Sequence, residues 1–139
     1  MPRKRPRILR AERWIPPKHV PVRRIRGMSA RTRAAVRRVE TEHMWPNAVA
    51  EALSQLVWVF KQPGRYLDAS EVWEPGLEIE DARDRLEEVM RRLPEGARAD
   101  LGRLLERLDR ELERRTLPDP VLMRELASDH WWWWRIRER

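Results

Sequence analysis

Few residues in this 139-residue chain are suited to making or breaking bonds. Its three histidines are His19, His43 and His130. There is no cysteine, which excludes thiolate nucleophiles, disulfides and Cys-based zinc sites. Glu40 and His43 stand at Glu-x-x-His spacing, which puts two metal-ligating groups on one helix face. Di-iron helical bundles use that unit twice, with two further carboxylates, and here it occurs once. The five glycines form neither GxGxxG nor GxxxxGKS/T, so no phosphate-cradling loop is expected. A GxSxG nucleophile elbow is also missing. Aspartates and glutamates lie mostly among arginines at helical spacing, where solvated ion pairs are their ordinary role. We therefore expect no catalytic residue, metal site or cofactor, no small-molecule substrate, and a protein that is not an enzyme.

Charge is the stronger signal. Net charge is +7, but it is unevenly spread. Residues 1–38 hold 14 Lys/Arg against the single acid Glu12, and residues 39–139 hold 16 against 22 acids. A basic arm on a mildly acidic body suits an anionic partner. The candidate phosphate-contacting residues are Arg3, Lys4, Arg5, Arg7, Arg23, Arg24, Arg26, Arg31, Arg33, Arg37 and Arg38. Binding through such a tail is driven by counterion release and is largely blind to base sequence. Of the 30 basic residues, 27 are arginine, a skew that a GC-rich genome also produces. No helix-turn-helix, RRM-type aromatic strand or zinc finger accompanies the arm.

Trp131, Trp132, Trp133 and Trp134 are the second unusual feature. On an α-helix four successive residues sweep about 300°, so they cannot all face one core. The simplest arrangement has Trp131 and Trp134 sealing the bundle while the others stack on arginine. The alternatives are a partner interface, where tryptophan is favoured as an anchor, a short lipid contact beside Arg135, Arg137 and Arg139, and base stacking.

The elements that carry these residues follow from apolar spacing. Ile79, Ala82, Leu86, Val89 and Leu93 draw one narrow stripe, with charged residues between them. Pro94-Glu95-Gly96 stops that helix. Ala97, Leu101, Leu104, Leu105, Leu108 and Leu112 begin a second stripe, over 97–116. So short a junction forces the two helices antiparallel. Ser29 reads as an N-cap for a helix from Ala30 to about Met44. Arg31, Arg33, Arg37 and Arg38 lie in its first turns, although cations at a helix N-terminus oppose the macrodipole. That placement favours an anion from outside, or an acidic patch on the body. After Trp45-Pro46-Asn47, the stripe Val49, Ala52, Leu53, Leu56, Val57 and Phe60 predicts the most apolar helix, 47–62, with Trp58 and Val59 extending its surface. Residues 65–76 form a connector, with one helical turn at 68–73. Asp119-Pro120 predicts an N-cap and first-position proline for a short helix to Leu126 or Ala127, and Ser128-Asp129 a further turn.

The fold class expected is all-α: a small helical bundle built on an antiparallel helical hairpin, with a basic, Pro-rich extended N-terminal arm. The organisation expected is an arm over 1–28, a helical domain over 29–134 with three principal helices, and a basic tail over 135–139. The longest apolar run before the C-terminus, Leu56 to Phe60, falls far short of the ~20 residues of a membrane span. A cytoplasmic location is expected. Two function classes fit. One is a non-catalytic accessory protein that contacts nucleic acid or a nucleoprotein complex through the arm. The other is a protein–protein interaction module or homodimer (a regulator, an antitoxin- or immunity-type partner, or an assembly subunit) that uses the tryptophans and arm as its interface.

Overall fold

The computed structural model describes residues 22–62, 78–126 and 129–137. The expectations for residues 1–21, for the turn at 68–73 and for the turn starting at Ser128 lie outside the described residues. The architecture is a small all-α bundle. In chain order it comprises α1 (Ala30–His43), α2 (Ala48–Phe60), α3 (Ile79–Arg92), α4 (Glu95–Arg115), a short strand β1 (Thr116–Pro118), α5 (Pro120–Glu125), a 3-10 turn (Trp131–Trp134) and a second short strand β2 (Arg135–Arg137).

Most helix starts follow local chemistry. Thr32 N donates to Ser29 Oγ over 3.1 Å, the expected cap of α1. Glu78 N donates to Asp81 Oδ2 over 3.2 Å at the start of α3. Val121 N donates to Asp119 Oδ1 over 2.9 Å, with Pro120 in the first turn of α5. One start differs from expectation. Pro94 alone occupies the N-cap position of α4, and Glu95 and Gly96 already belong to its first turn. Glu95 there complements the positive end of the helix, and proline is tolerated where the amide has no helical partner.

The hairpin is antiparallel. Arg83 of α3 pairs with Asp109 of α4, while Met90 lies over Gly102, nearer the junction. Ile79, Ala82, Leu86 and Val89 bury one stripe of α3, and Ala97, Leu101, Leu105 and Leu112 bury one of α4. The two arms are not each other's main neighbours. α3 lies chiefly on α2, and α1 on α4. Four long helices therefore share the core, with α1 contributing Ala35, Val36 and Val39 beside Ala52, Leu56 and Val59 of α2. This corrects the expectation of three principal helices.

The pairing of β1 with β2 is a second difference. The strands are antiparallel, in the register Thr116↔Arg137, Leu117↔Ile136 and Pro118↔Arg135. Segments of three residues are too short to show alternation, so the sequence carries no period-2 signal for them. Among the described residues no helix is long and apolar enough to cross a membrane.

Candidate anion-binding surface

The candidate surface begins with residues 22–29, which lead into α1. Arg23 fastens this segment across the start of α2. Its backbone N donates to Asn47 Oδ1 and its Nη2 to Ser54 Oγ, each over 2.9 Å. Asn47 itself adopts a left-handed conformation with φ 66°, which asparagine tolerates better than most residues. The chain then turns at Gly27, where φ is +83° and a Cβ would lie 3.1 Å from Leu104 Cδ2. Glycine meets both the positive φ and the close approach.

Asp100 of α4 secures the far end of this segment. Ser29 N donates to Asp100 Oδ2 over 3.0 Å. That bond, then the Thr32 hydroxyl and Arg103, lower the Asp100 carboxyl to a pKa of about 2. The first turn of α1 contains no acid of its own. The anion at this helix start is thus supplied by the body, 71 residues away in sequence.

These restraints bring Arg23 and Arg24 beside Arg33 and Arg37 around a cavity of about 320 Å³, walled by Val36, Glu40, Asn47 and Ala50. Arg26 falls on the other side of the segment. There it joins Arg23, Arg24, Lys61 and Arg107 around an open groove of about 550 Å³. At about 100° per residue, Arg33 and Arg37 lie along one edge of the buried stripe of α1. Arg31 and Arg38 lie along the opposite edge, away from the cavity. The eleven basic residues read from sequence therefore separate into groups. Arg3, Lys4, Arg5 and Arg7 lie outside the described residues.

Pairing distinguishes these arginines from six of those along the hairpin. Along the hairpin, Arg83 bonds Asp109 and Glu87, Arg92 bonds Glu88, Arg103 bonds Asp100, Arg110 bonds Glu106, and Arg114 and Arg115 share Glu111. Arg24, Arg26, Arg31, Arg33 and Arg38 form no ion pair among the described residues. Arg24, Arg26, Arg31 and Arg38 are exposed, and Arg33 is half-buried.

Glu40 is the buried acid of this region. Its Oε2 accepts from Val49 N over 2.9 Å, so it closes the start of α2 from the preceding helix. Burial pushes its pKa up, opposed by the Val49 amide; Glu51 nearby also raises it, and the Ala48 amide and Arg37 lower it. His43, its partner in the Glu-x-x-His spacing, instead lies 3.3 Å from Arg92 Nη1 and 3.7 Å from Glu42.

The tryptophan run occupies a 3-10 turn on the body rather than an α-helix. Trp132 is buried, at 4% exposure, and stacks on His130 with centroids 4.4 Å apart. The Arg83 guanidinium carbon lies 4.2 Å from the Trp132 ring centroid. Asp84 receives both neighbouring indoles: Trp132 Nε1 at 2.8 Å, and Trp133 Nε1 at 3.0 and 2.9 Å to its two oxygens. Trp131 meets Trp132 edge-on at 5.8 Å, with Arg135 over its ring. Trp134 is half-buried, and its carbonyl accepts from Asp119 N over 2.8 Å. The expected sealing pair, Trp131 and Trp134, is thus replaced by Trp132, flanked by Trp131 and Trp133. A 3-10 turn advances about 120° per residue, so positions 131 and 134 eclipse and 132 projects alone. Of the four residues proposed as a partner interface, Trp132 belongs to this chain's own core.

Sequence reading missed two features. Asp84 looked like one more hairpin acid, and nothing local marks it as an indole acceptor. The groove beside Arg26 had a signal, because Val57 and Trp58 extend the apolar face of α2 beyond one buried stripe. Compared with known families, characterised proteins and solved structures, the chain matches none.

Proposed function

We propose that this protein is a non-catalytic accessory binder of nucleic acid or of a nucleoprotein complex. Arg23, Arg24, Arg33 and Arg37 form one part of its phosphate-contacting surface, and Arg3, Lys4, Arg5 and Arg7 extend it along the chain. The supporting observation is the contrast in pairing. Six hairpin arginines (Arg83, Arg92, Arg103, Arg110, Arg114 and Arg115) pair with acids within a turn or across the seam, whereas Arg24 and Arg33 line one cavity with no acid paired to either among the described residues. Guanidinium groups that no carboxylate bonds can give their donors to phosphate oxygens. Contacts of this kind position a backbone and carry little sequence information.

The test is fluorescence anisotropy of labelled duplex DNA and of RNA across a salt series. The full chain is compared with an Arg24→Gln/Arg33→Gln/Arg37→Gln variant and with a chain lacking residues 1–21. On duplex DNA each lost phosphate contact should flatten the log–log salt slope by about 0.9, so the triple variant should lose between about 2 and 3. An absence of binding at low salt overturns the reading. So does a triple variant that binds like the parent.

A further inference from the structure

The groove on the α4 side of residues 22–26 differs in kind from the arginine cavity. Its floor is apolar: Leu53 and Val57 from α2 face Leu104 and Leu108 from α4, and Trp58 stands at the edge. Val57 is 43% exposed and Trp58 53%, on the helix whose opposite face carries the buried core. Its rim carries five cations: Arg23, Arg24, Arg26, Lys61 and Arg107. Among the described residues no carboxylate lines it.

We propose that this groove docks an acidic amphipathic helix of a protein partner. The floor offers apolar positions four residues apart on each of two helices, the spacing that receives an i, i+3, i+4 apolar face. A ring of cations around that floor matches acids flanking such a face. Phosphodiester backbone has no apolar surface to set against Val57, Trp58 and Leu104, so nucleic acid fits the arginine cavity better than this groove. The chain's own arm is a poor occupant. Residues 1–21 carry seven Lys/Arg against Glu12, and the rim repels them. This inference stands apart from the nucleic-acid reading, because it uses a different surface and a different ligand chemistry.

The test uses a phage-displayed library of random peptides of about 16 residues, roughly four helical turns, panned on the full-length protein. Enriched sequences are then synthesised, labelled and measured by anisotropy. Enrichment should favour apolar residues at helical spacing flanked by several Asp or Glu. Affinity should fall about tenfold or more on Val57→Asp, and by roughly threefold or more on Arg107→Glu. Both positions are exposed, so the core is untouched, and unchanged circular dichroism and urea midpoints would confirm it. The proposal is overturned if nothing enriches, if the enriched peptides are basic or without pattern, or if Val57→Asp leaves their binding intact. It is also overturned if the protein sediments as a dimer that Val57→Asp dissociates, since a second copy then fills the groove. If Val57→Asp weakens duplex DNA as much as peptide, the groove belongs to the nucleic-acid surface and the proposal fails. Loss of DNA binding in an Arg33→Gln/Arg37→Gln variant, which leaves the groove rim unchanged, with peptide binding intact would leave the groove standing.

Discussion

At the residue scale, two aspartates do more than their sequence neighbours suggest. Asp84 sits in α3 among alternating charges, yet its carboxylate takes the indole N–H groups of both Trp132 and Trp133. Removing it strands two indole donors, one on a buried residue. Asp84→Ala should therefore cost about 2 kcal/mol, within a range of roughly 1–3. Urea denaturation followed by tryptophan fluorescence would measure this. An unchanged midpoint would mean that water replaces the carboxylate freely. Asp100 makes a prediction about pH. Its folded carboxyl is held near 2 by the Ser29 amide, then Thr32 and Arg103, against an ordinary 3.8. The unfolded chain takes up that proton first as pH falls. Its contribution is therefore complete above about pH 4 and is lost on descent toward pH 2. Asp100→Asn should be less stable than the parent near pH 6, and the gap should close below about pH 3. Equal midpoints across that range would show that the Ser29 contact contributes nothing.

At the element scale, α2 is closed at both ends by side chains from other helices. Glu40 of α1 accepts from Val49 N at its start. Arg115, at the end of α4, donates to Phe60 O over 2.7 Å and to Gln62 O over 2.8 Å at its finish. Anion at the N-terminus and cation at the C-terminus is the arrangement that suits the helix dipole. It also satisfies backbone groups that a short helix leaves without partners. Both side chains are buried, so their loss is not made good by solvent. Glu40→Ala and Arg115→Ala should each destabilise by about 1–3 kcal/mol. Hydrogen exchange should separate them, with faster amides near Val49 in the first and past Val57 in the second. Uniform acceleration along α2 in both variants would argue against local closure.

At the scale of the whole molecule, charge is sorted by place. Six hairpin arginines are matched with acids, whereas Arg24, Arg26, Arg31, Arg33 and Arg38 form no ion pair among the described residues. This sorting predicts a separation of stability from binding. In the Arg24→Gln/Arg33→Gln/Arg37→Gln variant, the changes at Arg24 and Arg33 should each alter stability by no more than roughly 0.5 kcal/mol, because neither anchors a buried partner. The change at Arg37 removes only its charge interaction with the buried Glu40. The variant's affinity for polyanions should nevertheless fall steeply. Val57→Asp should spare duplex DNA and weaken peptide binding about tenfold or more. Two surfaces that share Arg23 and Arg24 on their borders are close enough to be used together, and chemically distinct enough to be tested apart.

Local signals in the chain fixed where most helices begin. Ser29, Asp119-Pro120 and the i, i+3, i+4 stripes act within a few residues, through capping bonds and a 3.6-residue period. The antiparallel hairpin was legible for the same reason, since a short junction allows no other course. Basic residues of the candidate surface could be named from composition, but their grouping could not. Arg33 and Arg37 part from Arg31 and Arg38 only once α1 has turned its stripe into the core. Arg23 joins them only because Asn47 and Ser54 hold it there. Asp84 beneath the tryptophans, Asp100 at Ser29 and Arg115 at Phe60 are separated from their partners by 48 to 71 residues in the chain. No propensity or period reaches that far. Such pairs depend on which helix faces meet, and packing of the assembled bundle settles that.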